Sequence, residues 1–141
     1  MKIWDVGHST LSEEDFISLL QKNRIEIVVD VRRFPSSRKF PHFEKNNLQK
    51  SLLEKKFFYL WMGDELGGFR KEGYEEWMKT EKFSRGLEKL EMVAKNKRTA
   101  FMCAEGDHKR CHRRFIASSL EKRGWEVNHI SLIVKKKVKS G

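Results

Sequence analysis

The strongest constraint on the fold is the nearly continuous β-branched run IEIVVDV at residues 25–31. A strand that is apolar on both faces needs cover on both sides, which is typical of a strand inside a parallel sheet. Before this run, LSEEDFISLLQKN has apolar residues at helical spacing behind Ser12, a plausible helix N-cap. The first segment, KIWDVG, has the pattern of another buried strand. Together these segments predict a strand–helix–strand unit.

The same alternation continues along the chain. The segment from Arg32 to Phe43 contains two prolines and no regular period, so we predict a loop there. The elements predicted after it are a short helix at 47–55, strand FFYLWMG, loop DELGGFRKEG, a helix at 75–95 broken near Gly86, strand RTAFMCA, helix HKRCHRRFIASSLEKRG ended by Gly124, and strand EVNHISLIV. Strands alternating with helices predict a three-layer α/β sandwich with a mostly parallel sheet. We expect one such domain at 1–134 and a basic C-terminal tail at 135–141.

The charge of the chain indicates a polyanionic partner. The formal net charge is +10, and only four of the lysines lie in the terminal KKKVKSG. A basic surface attracts nucleic acid because phosphate contacts release condensed counterions, although an ordinary solvated surface can carry the same charge. We therefore expect DNA as a partner. The candidate DNA contacts are Arg33, Arg38, Lys39, Lys135, Lys136 and Lys137.

Hydropathy and cysteine content bear on location. No apolar run approaches the roughly 20 residues needed to cross a bilayer, so no membrane partner is expected. The amino terminus lacks the apolar core of a signal peptide, which favours the cytoplasm. The two cysteines are then expected to be free thiols. Frequent Lys and Glu with only two prolines is compatible with a thermophilic source.

Polar residues and glycines follow four of the predicted strands. In parallel α/β folds the working site lies beyond the carboxyl ends of the strands, so these residues should meet at one edge of the sheet. Polar loops at that edge are also common to all such folds. The residues are Gly7, His8, Ser9 and Thr10 after the first strand, Asp30, Arg32 and Arg33 after the second, Asp64, Glu65, Gly67 and Gly68 after the third, and Cys103, Glu105 and Asp107 after the fourth.

The densest group of reactive side chains is the segment FMCAEGDHKRCHRRF. Cys103, His108, Cys111 and His112 are possible zinc ligands, but structural zinc sites usually take paired ligands from turns, and we expect neither a metal nor a cofactor. A thiol active site is the second interpretation, because Cys103 follows a strand and precedes a predicted helix N-terminus. The Cys-x5-Arg loop of thiol phosphatases is not matched, since a lysine occupies the arginine position. The third interpretation makes Cys103 a small buried apolar residue.

Helical register predicts the positions of the residues from Cys111 to Arg114. Cys111 falls on the face toward the sheet and is expected in the core. His112 lies near the edge of the site, where it would bind a ligand or cap a carbonyl. Arg113 and Arg114 are expected at the pocket mouth, or on the solvent face as ordinary helix charges.

Two carboxylates, Asp30 and Glu105, end buried strands. Burial should raise the pKa of each carboxyl unless a cation lies nearby, and Arg32 is the nearest cation to Asp30 along the chain. Asp30 is therefore either one half of a structural ion pair with Arg32 or a functional carboxylate.

With these motifs in order, the chain resembles the domain of unknown function 488 family over nearly its whole length. The matching pieces are GHST, VDVRRFPSSRKFPHF, ELGG, MCAE, CHRR and EVNHI. The resemblance implies a small Rossmann-like or flavodoxin-like α/β domain, and a connection in archaea with a DNA glycosylase/lyase that acts on oxidised cytosine. It points to His8, Ser9, Asp30, Arg32, Pro41, Phe43, Leu66, Gly67, Cys103, Glu105, Cys111, His112 and Arg113, without assigning their roles.

Two classes of function remain open. The first is a DNA repair glycosylase/lyase that acts on an oxidised pyrimidine flipped into a pocket with aromatic walls and cations. The second is a small-molecule or phosphate-handling enzyme that uses Cys103, or a non-catalytic nucleotide- or nucleic-acid-binding domain. Aromatic residues available for the first are Phe40, Phe43, Trp61 and Phe69.

The glycosylase hypothesis needs a carboxylate near C1′, which stabilises positive charge on the sugar or activates water. Asp30 is the first candidate and Glu105 the second. Strand scission also needs an amine that forms a Schiff base, and Lys39 and Lys45 are the nearest by sequence. The expected substrate contacts are His8, Ser9, Arg32, Phe43, Cys103, His112 and Arg113.

Overall fold

All five strands in the described part of the chain run parallel in one sheet. The computed structural model describes residues 1–106 and 111–132. The strands are β1 (Lys2–Gly7), β2 (Ile27–Asp30), β3 (Phe58–Trp61), β4 (Thr99–Cys103) and β5 (Glu126–His129), in the spatial order β3-β2-β4-β1-β5. The helices are α1 (Glu13–Lys22), α2 (Lys45–Glu54), α3 (Gly63–Leu66), α4 (Tyr74–Trp77), α5 (Glu81–Asn96) and α6 (Arg113–Lys122), with a 3-10 turn at Pro41–Phe43. The predicted α/β, Rossmann-like architecture is confirmed.

Helices cover both faces of the sheet. Successive residues of each strand point to opposite faces, so each strand contributes to two apolar clusters. On one face Val28 and Met102 belong to an apolar cluster with residues of α1 and α2. On the other face Val29 and Phe101 belong to a cluster with residues of α3, α5 and α6. The result is the three-layer sandwich that the sequence predicts. None of the described helices is long and apolar enough to cross a membrane.

The connections reverse direction at the middle of the sheet. From β1 the chain passes through α1 to β2 and through α2 to β3, with both helices on one face. It then returns through α5 to β4 and through α6 to β5 on the other face. The loops after the neighbouring strands β1 and β4 therefore lead to opposite faces. Such a switch point leaves a crevice at the carboxyl edge, where α/β proteins bind their ligands.

The predicted helix break near Gly86 is wrong. The interruption falls at residues 78–80, and Thr80 begins α5 by accepting a hydrogen bond from the Phe83 N–H at 3.2 Å. Gly86 lies inside α5 because the helix packs closely on α3. A Cβ at position 86 would lie 2.5 Å from the Cβ of Glu65. The glycine serves packing rather than helix termination.

Other predicted boundaries shift by a few residues. Glu44 caps α2 by accepting from the Asn46 N–H at 3.0 Å, so this helix begins before residue 47. Gly124 follows the end of α6 with φ of 93°, the left-handed conformation expected of a helix-ending glycine. Residues 107–110 and 133–141 lie outside the described ranges, and with them the predicted contacts Lys135, Lys136 and Lys137.

Candidate functional site

A cleft of about 560 Å³ opens at the carboxyl edge of the sheet. The loops that follow β1, β2, β3 and β4 line it, together with the segment that begins α6. The strand register places Gly7 beside Cys103 and Asp30 beside Met102. The prediction that Asp30, Cys103 and residues 7–10 cluster at one edge of a parallel sheet is therefore confirmed.

The loops after β1 and β4 pack tightly at the base of the cleft. The His8 N–H donates to the Cys103 carbonyl at 2.9 Å, and the Ser9 N–H donates to the Ala104 carbonyl at 2.8 Å. A Cβ at position 7 would lie 1.8 Å from the Glu105 carbonyl oxygen, so only glycine permits this approach. The two loops thus form a fixed frame for the side chains above them.

Asp30 is fully buried, and both of its carboxylate oxygens are engaged. The Arg32 guanidinium donates to them at 2.9 and 2.8 Å, and the Tyr59 hydroxyl donates at 2.5 Å. Arg32 also donates to the Phe43 carbonyl at 2.6 Å. Of the two alternatives for Asp30, the structure contains the ion pair. Asp30 does not line the cleft, so its predicted catalytic role would require contact that this burial opposes.

The pKa shifts of this group follow from burial and the shared carboxylate. Burial alone would lower the pKa of Arg32, but the hydrogen bonds and charge of Asp30 raise it. Burial and the same carboxylate raise the pKa of the Tyr59 hydroxyl. Arg32 and Tyr59 therefore both keep their protons at neutral pH. We call Asp30, Arg32 and Tyr59 the Asp30 lock.

Arg113 is buried, so the predicted position at the pocket mouth is wrong. Only 1% of its side chain is exposed, and its guanidinium pairs with the buried carboxylate of Asp5. It also donates to the Glu105 carbonyl at 2.7 Å, and Asp5 pairs in addition with His129. This group ties α6 to β1 and to the loop after β4. The sequence signal for it was overlooked: an aspartate within the apolar strand KIWDVG requires a buried partner.

His8 presents a buried side-chain nitrogen that has no hydrogen-bond partner among the described residues. Its Nδ1 lies 3.0 Å from the Ser9 carbonyl oxygen, which places the ring proton on Nδ1 and leaves Nε2 as an acceptor. Burial lowers the pKa of His8 to about 4, so the ring is neutral at pH 7. Because His8 lines the cleft, an N–H or O–H group of a ligand could satisfy Nε2.

Phe43 and Ser9 support His8 from behind instead of lining the cleft. Phe43 is fully buried, stacks on the His8 ring at 4.1 Å between centroids, and contacts Phe16 edge-on. Ser9 contributes its carbonyl to the ring and adopts a φ of 45°. Both were predicted to contact substrate; the structure places them one step further away.

Two exposed phenylalanines, Phe34 and Phe69, form the rim of the cleft, and we call them the aromatic rim. Their side chains are 62% and 84% exposed, and their ring centroids lie 6.0 Å apart. Arg33 holds the pair together, since it donates to the Phe69 carbonyl at 2.5 Å and lies 5.3 Å from the Phe34 ring. Phe69 was a predicted pocket residue, whereas Phe34 was missed inside the proline-containing loop.

Two further residues of the cleft, Arg70 and Tyr74, were also missed. Arg70 donates to the carbonyl of Gly67 at 2.9 Å and to that of Asp64 at 2.6 Å. Its guanidinium lies 3.7 Å from the Trp77 ring centroid, so it mainly fixes the loop after β3. Tyr74 donates to the Leu66 carbonyl at 2.8 Å. Both residues hold the loop that carries Phe69. Hydrogen bonds from side chains to backbone carbonyls leave no regular pattern in the sequence, so these two residues were missed.

The remaining predicted cations divide into two groups. Arg33 and Arg114 line the cleft; Arg33 was predicted at this edge of the sheet, and Arg114 at the pocket mouth or on the solvent face. Arg38 is exposed but does not line it. Lys39 lies 5.9 Å from the Phe40 ring and Lys45 lies 4.8 Å from the Trp61 ring, both away from the described lining. The structure therefore does not bring the two candidate Schiff-base lysines to the cleft.

Cys103 and Cys111 face one another on the cleft wall, with Sγ atoms 2.7 Å apart. Both are free and buried. His112 Nδ1 lies 3.4 Å from Cys111 Sγ, and His112 Nε2 lies 3.1 Å from the Val31 carbonyl oxygen. That carbonyl places the ring proton on Nε2, so Nδ1 can accept the Cys111 proton. Cys111 is in the core as predicted, but it also borders the cleft.

The two thiols have opposite pKa shifts. A hydrogen bond from the Cys103 thiol, followed by the interaction with His112, lowers the pKa of Cys111 to about 4. Burial and the hydrogen bond to Cys111 raise the pKa of Cys103. Of the two thiols, Cys111 is therefore the one that ionises more readily. The sequence analysis considered Cys103 alone as a reactive thiol and assigned Cys111 to the core, whereas the lowered pKa belongs to Cys111.

Glu105 is an exposed carboxylate on the wall of the cleft. It belongs to the loop after β4, which Arg113 holds through the Glu105 carbonyl. Within the described residues no three His, Cys, Asp or Glu side chains are grouped so as to hold a metal ion. His108 and Asp107, which sequence reasoning placed near this loop, fall outside those residues.

The comparisons with known proteins bear on the family alone. A family model with the description "Domain of unknown function DUF488" matches residues 12–120, well over half of the chain. The match includes the Asp30 lock, the aromatic rim, Cys103, Glu105, Cys111 and His112, whereas His8 lies just before it. No curated protein and no solved structure matches the chain.

Proposed function

The chain belongs to the DUF488 family, and from the chemistry of its cleft we propose that it is a DNA glycosylase that extrudes a damaged pyrimidine from the duplex and hydrolyses its N-glycosidic bond. The observation that carries the proposal is one cleft that combines an aromatic rim, arginines, a carboxylate and an imidazole nitrogen without a partner in the described part of the chain. DNA is the proposed partner. Location in the cytoplasm stays a prediction.

The aromatic rim supports base extrusion. Phe34 and Phe69 expose most of their surface to water, although burying such a ring is worth up to about 3 kcal/mol. Proteins that open a duplex insert apolar side chains between bases and stack the displaced base on aromatic rings. Phe34 and Phe69 stand at the entrance, and Phe115 and Tyr74 stack 5.5 Å apart on the wall inside. One pyrimidine fits within the volume of about 560 Å³.

The charges of the cleft suit a phosphate backbone. Arg33 and Arg114 lie on its lining, and the whole chain carries a formal net charge of +10. Guanidinium groups bind phosphate through paired N–H donors and keep their charge at all physiological pH values. We assign Arg33 and Arg114 to phosphates that flank the extruded nucleotide. Arg38, which is exposed on the same proline-containing loop, would add a more distant contact.

His8 supports recognition of the base. Its Nε2 is an acceptor that lies buried without a partner among the described residues. A cytosine-type base carries an exocyclic amino group, which is a donor. Pairing this donor with Nε2 would satisfy both groups. A site built to bond an N–H strongly rejects an analogue that lacks it, because its own polar atom is then left unpaired. We therefore assign His8 to the amino edge of an oxidised cytosine.

Glu105 takes the catalytic role in this proposal. As the bond between C1′ and the base breaks, the base leaves with the electron pair and positive charge develops on the sugar. A carboxylate at that position stabilises this charge and accepts a proton from the water that attacks C1′. Glu105 is exposed on the cleft wall, whereas Asp30 is buried within its ion pair. The second candidate from the sequence thus replaces the first.

Strand scission is left out of the proposed reaction. It requires an amine, and no lysine lines the cleft within the described ranges. Lys39 lies on the proline-containing loop and Lys45 begins α2, so the predicted lyase role would require either residue to move to the cleft. Borohydride trapping separates hydrolysis from lyase chemistry, because only a Schiff base gives a covalent adduct.

The test uses duplexes that each contain one oxidised or deaminated pyrimidine. We expect release of one oxidised cytosine derivative, no borohydride adduct, and a loss of at least about a hundredfold in single-turnover rate for Glu105→Gln. Glu88→Gln, an exposed change on α5, is the matched control and should excise at the wild-type rate. Binding should weaken steeply with salt for the wild type and both variants.

Three outcomes would overturn the proposal. If no lesion is released although DNA binds with a steep salt dependence, the protein is a nucleic-acid-binding domain. If binding does not change with salt, the small-molecule or nucleotide alternative takes its place. If excision occurs equally in Glu105→Gln, the carboxylate assignment fails.

A further inference from the structure

Beyond the proposed reaction, we infer that Cys103 and Cys111 form a dithiol that hydroperoxides oxidise to an intramolecular disulfide. Cys111 reacts first and Cys103 closes the bond. The site does not depend on what the cleft binds, and its chemistry can be measured without DNA.

The geometry brings the two sulfur atoms within reach of one another. Their separation is 2.7 Å, so an approach of less than about 1 Å brings them to bonding distance. Cys103 ends the central strand β4, and Cys111 comes two residues before α6. If the two buried thiols served packing alone, two small apolar side chains would serve equally well. The arrangement is instead that of a reactive thiol with a resolving thiol beside it.

Three features distinguish Cys111 as the sulfur that reacts first. Cys111 is 8% exposed on the cleft wall, against 2% for Cys103. His112 Nδ1 lies 3.4 Å from Cys111 Sγ and can take its proton, because His112 Nε2–H donates to the Val31 carbonyl. The thiol of Cys103 and the backbone N–H of Arg113 both favour an anion on Cys111. Cys103 instead turns its Sγ toward the Glu105 carbonyl at 3.7 Å.

The reaction proceeds in two balanced steps. The Cys111 thiolate attacks one oxygen of the hydroperoxide, the O–O bond breaks, and the other oxygen leaves as an alkoxide or hydroxide that takes up a proton. Cys111 is then a sulfenic acid, oxidised by two electrons while the peroxide is reduced by two. Cys103 loses its proton and attacks the Cys111 sulfur, and the S–O bond breaks. The released hydroxyl leaves with that proton as water, and the disulfide remains.

The experiment treats the full-length reduced protein with hydrogen peroxide and maps the products by peptide mass spectrometry. In the wild type we expect a Cys103–Cys111 disulfide within one chain. Cys103→Ser should stop at a sulfenic acid on Cys111 that dimedone traps. Cys111→Ser should leave Cys103 at least about tenfold slower to oxidise, because thiolate character and access decide such rates.

The opposite results would overturn the inference. They are oxidation of Cys103 in Cys111→Ser as fast as that of Cys111 in Cys103→Ser, disulfides between chains rather than within one, or a wild-type sulfenic acid that persists. The wild-type measurement stands without either variant. If a serine variant misfolds, the order of labelling of the two wild-type thiols by a limiting alkylating agent still decides which sulfur reacts first.

Discussion

The buried polar groups near the carboxyl edge fall into two sets that differ in their bonding partners. In the Asp30 lock, and in the pair of Asp5 with Arg113, each buried carboxylate binds an arginine. On the cleft wall, His8 Nε2 has no partner among the described residues, and the Cys111 sulfur lies against the Cys103 thiol, the His112 imidazole and Arg113. The first set joins strands, loops and α6. The second set borders solvent and has bonding capacity to offer a ligand or an oxidant.

From this difference we infer which buried polar groups hold the fold and which are available for chemistry. The buried carboxylates of the first set have their bonds made, so they are costly to disturb and have nothing left to give a substrate. Arg113 Nε is the exception in that set, because it too is buried without a partner among the described residues. An acceptor without a donor costs stability in the free protein, and such a cost is commonly found at functional sites. The following predictions test this division, beginning with the largest effect.

Removing the charge of Asp30 should cause the largest loss of stability. Asp30→Asn leaves the Arg32 guanidinium buried without its counter-charge, which typically costs about 3–5 kcal/mol. The matched control is Asp64→Asn, because Asp64 pairs with Lys82 at the surface with more than half of its side chain exposed. The control should cost less than about 1 kcal/mol. Urea unfolding measures both, and equal losses would show that the lock is not structural.

His8 should make stability depend on pH. Its pKa is about 4 in the folded protein, against an ordinary 6.5, so the unfolded chain binds a proton that the fold excludes. The free energy of unfolding should therefore decrease as pH falls from 6.5 to 4, by about 3 kcal/mol for this residue. His8→Gln should remove that part of the slope. Urea unfolding of both proteins at pH 7.5 and 4.5 tests this. An equal loss of unfolding free energy in the wild type and in His8→Gln would refute it.

Cys111 should be alkylated at nearly the same rate at pH 6 and pH 8. Its pKa of about 4 keeps it ionised across this range, in contact with Cys103, His112 and Arg113. An ordinary thiol should react on the order of fifty times faster at pH 8, because its pKa is about 8.5. Iodoacetamide labelling mapped to each cysteine gives the profile. If the alkylation rate of Cys111 rises between pH 6 and pH 8 as much as that of free cysteine, Cys111 is an ordinary buried thiol.

The aromatic rim should affect DNA binding without affecting the fold. Phe69→Ala removes a ring that is 84% exposed, so unfolding should not change measurably, while binding of lesion DNA weakens by about 1–2 kcal/mol. Leu53→Ala, on an apolar residue 53% exposed on α2, is the control and should bind as the wild type does. Fluorescence anisotropy titrations compare them. Equal binding by all three proteins would remove the rim from the interface.

The sequence predicted the sheet well because its signals are local. Apolar runs such as IEIVVDV require cover on both faces, and four polar strand ends could be assigned to one edge from topology alone. His8, Arg33 and Cys103 were placed at the cleft in this way. Gly86 was misread because a glycine inside a helix looks the same whether it breaks the helix or admits a neighbour.

The division of roles within the site could not be predicted, because it depends on contacts distant in sequence. Asp5 and Arg113 are separated by more than a hundred residues, and only their pairing reveals that Arg113 is buried. Phe43 and Phe69 look equally suited to stacking on a base, yet one is in the core and the other at the rim. The contact between Cys103 and Cys111 depends on how the loop after β4 returns to the sheet.

The most direct test of the central claim follows the His8 ring by NMR in protein labelled with heavy nitrogen in histidine. Adding a duplex that contains an oxidised cytosine should shift the Nε2 signal in the direction of an accepted hydrogen bond, while the Nδ1 signal stays in place against the Ser9 carbonyl. The matched undamaged duplex should leave Nε2 unchanged. If the damaged duplex binds and Nε2 does not move, the unpartnered nitrogen is not a base-recognition group, and the proposed division between structural and functional polar groups is wrong.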